Sequence, residues 1–216
     1  MNSGLELSSA VGPAGNMKTI ENILEKDGMV TFYPQFFSLP ESDHYFETLL
    51  KEIDWKQEPV FIFGKSVMQP RLTAWYGDPE RSYTYSGITM HPKNWTSPLL
   101  GIKHRIESVS PVAFNSALLN QYRHEKDSVG WHRDNEKSLG INPVIGSVSF
   151  GATRNFLFRH YADKTIQHSL ALTHGSFLLT QGETQHYWEH SIPKQGHKTG
   201  PRINITFRVI QEQISH

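Results

Sequence analysis

Hydrophobic and polar positions change their rhythm near the middle of the chain. Before residue 114 the apolar residues fall at helical spacing. Phe46, Leu49, Leu50 and Ile53 lie on one face of a predicted helix that starts at Ser42 as N-cap and runs to Ile53. Leu99, Leu100, Ile102, Ile106 and Val109 mark a second helix over 98–109, and a short helix is expected over 17–26, ending before Gly28. Val30 to Tyr33 reads as a strand. From Phe114 onward, short alternating runs recur between turn residues: 116–122, 143–150, 155–159, 167–173, 176–180 and 202–210, punctuated by Gly151, Gly175, Gly182 and Gly200. Many short strands at this spacing predict a double-sheet jelly roll or a related barrel. The expected class is therefore α+β, mainly β, with a double-stranded β-helix (jelly-roll) core and flanking N-terminal helices.

Length and composition narrow this picture. A chain of 216 residues suits a single domain, here 17–216, and its 37% hydrophobic content supports a sizeable core. Residues 1–16 are rich in Gly, Ser, Ala and Pro with one charge, Glu6, and read as a disordered arm. No apolar run approaches the roughly 18 residues that span a bilayer, and the N-terminus lacks the basic-then-apolar order of a secretory signal. Cysteine is absent, which excludes disulfides and thiolate metal sites. These readings favour a cytoplasmic protein, or a nuclear one in a eukaryote, with no membrane partner and a monomer as the default. Lysine and arginine number 21 and so do aspartate and glutamate, so no global basic field draws in nucleic acid.

Candidate chemistry gathers in the second half. His132-Arg133-Asp134 and the distant His190 supply two imidazoles and a carboxylate, a donor set that holds Fe(II) on one face and leaves other positions open. If 132 and 134 share a strand, their side chains share a face. With 12 histidines, about one HxD or HxE arises by chance, so a surface His132 and a core His190 remain the plainer alternative. The run Arg202-Ile203-Asn204-Ile205-Thr206-Phe207-Arg208 alternates polar and apolar. On a strand both arginines point the same way, where their forks would bracket a small dicarboxylate. A half-exposed strand with solvated arginines fits the same periodicity. Asn120 and Tyr122 share a face by the same rule. Phe61, Phe63, Trp75, Tyr76, Tyr83 and Tyr85 alternate with Lys65, Arg71 and Arg81, a texture that suits base stacking and phosphate contact as well as a core.

Several ordered motifs carry a resemblance. Phe63-Gly64-Lys65, the run from Pro70 to Asp78, Tyr83 to Gly87, Asn120-Gln121-Tyr122, His132-Arg133-Asp134, Ser147 to Gly151, His190 to Lys194 and the 202–208 strand occur in the order found in the AlkB family of Fe(II)- and 2-oxoglutarate-dependent dioxygenases. The chain most resembles the members that repair alkylated DNA, over roughly 61–210. The resemblance implies His132, Asp134 and His190 as iron ligands. It implies Asn120, Tyr122, Arg202, Asn204, Thr206 and Arg208 as contacts to the co-substrate 2-oxoglutarate. Phe63, Arg71, Tyr83, Tyr85, Asn135, Glu136 and Arg154 match substrate-side positions. Phe63 is expected to fill the gap left by a flipped base, Tyr85 and His132 to sandwich that base, and Glu136 to read its edge. Asn135 departs from the acidic residue that duplex-repair members often carry there.

The resemblance also implies a substrate-recognition lid at about 58–92 and a jelly-roll core at about 114–212. The implied activity is oxidative demethylation of N-alkylated bases such as 1-methyladenine and 3-methylcytosine, in single- or double-stranded DNA or in RNA. Formaldehyde, succinate and CO2 are the products. A 2-oxoglutarate-dependent hydroxylase of a protein or small molecule is the alternative, and a jelly-roll binding module without activity is a second.

Overall fold

The computed structural model describes residues 19–62, 65–79, 83–85 and 88–211. The proposed disordered arm and Phe63 lie outside them. In chain order the strands are β1 (Ile20–Glu21), β2 (Met29–Tyr33), β3 (Pro59–Ile62), β4 (Lys65–Met68), β5 (Leu72–Gly77), β6 (Tyr83–Tyr85), β7 (Ile88–Met90), β8 (Ser116–Tyr122), β9 (Val129–His132), β10 (Ile145–Gly151), β11 (Arg154–His160), β12 (Gln167–Leu172), β13 (Ser176–Gln181), β14 (Trp188–Ile192) and β15 (Arg202–Arg208). The helices are α1 (Leu39–Glu52), α2 (Ser97–Glu107) and the single turn α3 (Thr184–Tyr187).

Two antiparallel sheets face each other. The larger has the order β1-β2-β13-β10-β15-β8-β5 and the smaller β12-β11-β14-β9. Both faces of the larger sheet are covered. Its outward residues Leu119, Val148, Phe150, Ile203, Ile205 and Phe207 pack with Leu49 and Ile53 at the end of α1 and Leu99, Ile102 and Ile106 of α2. On the inner side Val30, Phe32, Tyr122 and Leu178 meet Phe158, Leu172, Trp188 and Ile192, mostly from the smaller sheet. The polar face of 202–208 therefore points between the sheets, not into solvent. The jelly roll expected from the alternating runs is the architecture found.

Three expectations are corrected. The helix expected over 17–26 is absent among the described residues; 20–21 pair with β2 instead. Asn22 sits at positive φ, and its side-chain oxygen accepts from the amides of Leu24 and Val30. A short polar side chain that binds local backbone in this way competes with helix formation. The helix placed after Ser42 begins at Leu39, because Ser38 and Glu41 form a capping box with Pro40 in the first turn. Ser42 is buried inside that helix and donates to the Ser38 carbonyl at 2.8 Å. The helix expected over 98–109 ends at Glu107. Within the segment read as a lid, β3 pairs with β4 and β6 with β7, but β5 joins β8 as an edge of the larger sheet.

Candidate metal and co-substrate site

His132 and His190 face each other directly across the β9–β14 ladder, with ring centroids 4.2 Å apart. Asp134 does not share the strand of His132: β9 stops at His132. The ligand atoms of the three residues nonetheless lie within 4.8 Å of one another. What the strand does not supply, side chains do. The Arg208 guanidinium donates to the Asp134 carboxylate at 2.7 Å, and the Asp134 amide donates to Gln185 Oε1 at 2.9 Å. His132 Nδ1 lies 2.8 Å from the Gly130 carbonyl, a bond that requires a proton on Nδ1 and leaves Nε2 as the donor atom. Phe156 stacks on His190 at 5.1 Å.

The electrostatics suit a cation. Burial, with His132 and Arg208 adding to it, pushes the His190 pKa down to about 3, so its ring is neutral and carries a free lone pair. Burial raises the Asp134 carboxyl, but the Arg208 guanidinium that pairs with it leads the effects that more than offset this and hold it below the usual carboxylate range. Two imidazoles and one carboxylate are a fitting donor set for a ferrous ion.

The second half of the site belongs to the larger sheet. β15 pairs with β8 in a register that sets Arg202 opposite Tyr122 and Asn204 opposite Asn120. Asn120, Tyr122, Arg202, Asn204, Thr206 and Arg208 all line one cavity together with His132, Asp134 and His190. The two arginines differ. Arg208 is paired with Asp134. Arg202 is 1% exposed and, among the described residues, has no carboxylate partner. Its Nη2 donates to Ser149 Oγ at 2.9 Å, while Nε and Nη1 have no hydrogen-bond partner among the described residues. Burial pushes its pKa down to about 10, so it stays charged at neutral pH. A buried cation with two unmet donors fits an incoming carboxylate. Asn204 is held by Ser147 at 2.7 Å and Thr206 bonds Asn204 at 3.1 Å.

The substrate-side residues are more dispersed. Arg71 is on the cavity wall, where its Nε donates to Asn120 at 2.7 Å. Asn135 and Glu136 are exposed and follow Asp134 out of the cavity. Arg154 is 1% exposed and does not line the cavity. It donates to the carbonyls of Asp127 and Pro193, which ties the segment before β9 to the segment after β14. Phe63 and the side chains of Tyr83 and Tyr85 lie outside the described residues. Sequence reading assigned no role to Ser147, Thr180 or Gln185, all of which line the cavity. The alternation Ser147-Val148-Ser149 was the available signal for the first; no pattern marked Gln185.

Comparison with known proteins places the chain among oxygenases. The 2OG-Fe(II) oxygenase superfamily matches residues 29–208. The Bos taurus alpha-ketoglutarate-dependent dioxygenase alkB homolog 3 is 42% identical over 212 residues, which cover 87% of this chain and 72% of the relative. Its Homo sapiens counterpart is 44% identical over 193 residues, 84% of this chain and 66% of the relative. The Mus musculus DNA oxidative demethylase ALKBH2 is 36% identical over 218 residues, 96% of this chain and 91% of the relative. The chain thus spans about two thirds of the human alkB homolog 3. A solved structure titled "The structure of OsALKBH1" shares the fold, with a TM-score of 0.62 at 18% identity, covering 88% of this chain and all of that one.

Proposed function

The chain belongs to the AlkB family of 2OG-Fe(II) oxygenases, and on that premise we propose that it oxidatively removes alkyl groups from the bases of nucleic acid. In this reading His132, Asp134 and His190 hold the ferrous ion. Arg202 takes one carboxylate of 2-oxoglutarate, with Tyr122 and Asn120 beside it. Arg208, Asn204 and Thr206 line the cavity toward the metal. Iron bound there would supply the oxidising chemistry, with O2 and 2-oxoglutarate as co-substrates: one oxygen atom of O2 would go to succinate as the keto acid loses CO2, and the other to the N-alkyl carbon, which would leave as formaldehyde.

The chain's own residues bind, orient and exclude water. His132 is fixed in one tautomer by Gly130, and Asp134 is kept ionised by Arg208. Phe156, Val129, Ile145, Leu178 and Ile192 form the apolar part of the wall, which limits water in the chamber. A base within a duplex reaches such a chamber only when flipped, and an alkylated base that pairs badly costs less to extrude. Arg71, Tyr83, Tyr85, Asn135, Glu136 and Phe63 are proposed on the substrate side, and Arg154 acts from behind by fixing the segments next to both histidines. The substrate is DNA, single- or double-stranded, or RNA, and it sets the cytoplasm or nucleus as the place of action.

The observation that carries this reading is the convergence of the three metal-binding side chains on the same cavity as the unpaired Arg202 guanidinium. The test is succinate and formaldehyde release from 2-oxoglutarate with single- and double-stranded oligonucleotides bearing 1-methyladenine. Formaldehyde in proportion to succinate is expected. Succinate that rises only with a protein or small-molecule substrate would move the chain to the alternative hydroxylase reading.

A further inference from the structure

Asp134 presents a problem of placement. Its carboxylate must meet two histidines, yet the strand that carries His132 has already ended. The next three residues, Asn135, Glu136 and Lys137, are exposed. No neighbouring strand takes the Asp134 amide. The amide is instead received by the side chain of Gln185, which is 2% exposed and reaches in from α3. A free carboxamide is a costly thing to bury, and this one is aimed at a single backbone position.

The mount behind Gln185 is firm. Gly182, at φ 58°, turns the chain from β13 into α3. Thr184, 1% exposed, accepts from the Met29 amide at 3.0 Å and donates to the Gln181 carbonyl at 2.5 Å, which fastens α3 to β2 and β13. The Gln185 amide nitrogen reaches Thr180 Oγ1 at 3.4 Å, and the Asp134 N–H, which can only donate, takes the oxygen end of the carboxamide. Gln185, Thr180 and Asp134 share the cavity wall.

We propose that Gln185 is the positioning residue for the metal ligand Asp134: it substitutes a side-chain acceptor for the missing strand partner and so sets where the carboxylate sits relative to His132 and His190. Arg208 governs the charge and the direction of that carboxylate, while Gln185 governs the backbone it hangs from. Metal sites tolerate ligand displacements of only a few tenths of an ångström, so releasing the backbone weakens the grip on the ion even with all three ligands present. The inference rests on the metal reading of the triad.

The test uses Mn(II), a redox-silent stand-in, titrated into the full chain and followed by calorimetry, with thermal unfolding of the metal-free protein measured alongside. Gln185→Met keeps length and bulk but removes the acceptor. It is expected to weaken Mn(II) binding about 10–100-fold, the usual effect of losing a group that orients a ligand. Its metal-free midpoint is expected to fall by less than about 5 °C. Gln185→Glu keeps an acceptor oxygen and is expected to retain affinity close to wild type. Native affinity in Gln185→Met overturns the proposal, and so does an equal loss in both variants. Should Gln185→Met fail to fold, Gln185→Leu takes its place: a loss of about 10–100-fold with leucine and retained affinity with glutamate supports the role, and native affinity with leucine, or an equal loss in both, removes it. A wild-type chain that binds no Mn(II), or binds it equally well after His190→Ala, sinks the metal reading itself and this inference with it.

Discussion

The two sheets solve the same problem in different ways. The co-substrate candidates stand on β8 and β15, inner strands of the larger sheet, each paired on both sides. Seven consecutive register pairs, from Arg202 with Tyr122 to Arg208 with Ser116, fix their spacing through the backbone. The metal candidates stand on the smaller sheet, where β9 is an edge strand that meets β14 through two register pairs with a shift between them. Asp134 lies beyond even that. There the geometry is held by side-chain cross-links: Arg208 and Gln185 to Asp134, and Arg154 to Asp127 and Pro193. One half is a ladder and the other an assembly of individual bonds. Single substitutions should therefore disturb metal binding broadly, and co-substrate binding only when they remove a contacting group.

The largest effect is expected from Asp134→Ala. It removes a ligand and deprives Arg208 of its counter-charge, so Mn(II) affinity should drop by more than the about 100-fold that orienting groups command. Retained metal binding and turnover would dissolve the contrast, because the assembled half would then have no keystone. Next is Arg202→Met. Losing the charge partner of a buried carboxylate should cost about 2–5 kcal/mol of 2-oxoglutarate binding, read as a raised Kd by calorimetry. The same change should raise the melting temperature of the unliganded chain, since it replaces a buried guanidinium lacking a counter-charge with an apolar group of similar length. A lower melting temperature would mean that Arg202 is a structural prop and not a waiting clamp.

The ladder half was also the legible half. Period-two alternation predicts both strands, one face for Asn120 and Tyr122 and one for Arg202, Asn204, Thr206 and Arg208; that the two faces form one site was implied by the family resemblance. The ambiguity between a buried and a solvated arginine face lay beyond periodicity, because it depends on the smaller sheet covering the polar side while α1 and α2 cover the apolar one. The metal half was named through its residue types and a family resemblance, not through its pattern. Val129 to His132 and Trp188 to Ile192 are too short and too polar to announce strands. Asp134 was expected on the strand with His132 and is off it. Gln185 could not be foreseen, because a one-turn helix has no periodicity and its bond spans 51 residues.

Asp127→Asn probes the assembled half at a distance from the ligands. The Asp127 side chain is 2% exposed and accepts from the Arg123 amide, Nε and Nη2 at 2.9, 2.8 and 3.0 Å. Burial alone would raise its pKa, but these hydrogen bonds and the Arg123 charge more than offset that, and the carboxyl lies below its ordinary value. A group with a depressed native pKa contributes stability that is complete above the unfolded value and fades as pH falls through the native one. The wild-type chain should thus lose stability below about pH 4 more steeply than Asp127→Asn. At neutral pH the substitution should cost about 1–3 kcal/mol and weaken Mn(II) binding through the segment leading into β9, with 2-oxoglutarate affinity unchanged. Equal losses of both affinities would show that the halves are not separable.

The smallest effect should come from the frame itself. Ser38 caps α1 by accepting from Glu41, whose carboxylate in turn takes the Ser38 amide at 2.8 Å. Ser38→Ala should cost about 1 kcal/mol and lower the melting temperature by about 2–4 °C for a chain of this size. The helix packs on the outer face of the larger sheet, away from the cavity, so the register of β8 against β15 stays as it is. Turnover, Mn(II) affinity and 2-oxoglutarate affinity should therefore match wild type at temperatures well below the transition. A change in co-substrate affinity alone would be the informative failure, because it would mean that the ladder transmits strain from its helical cover to the arginine face, and that the preorganised half depends on more than its own strand pairing.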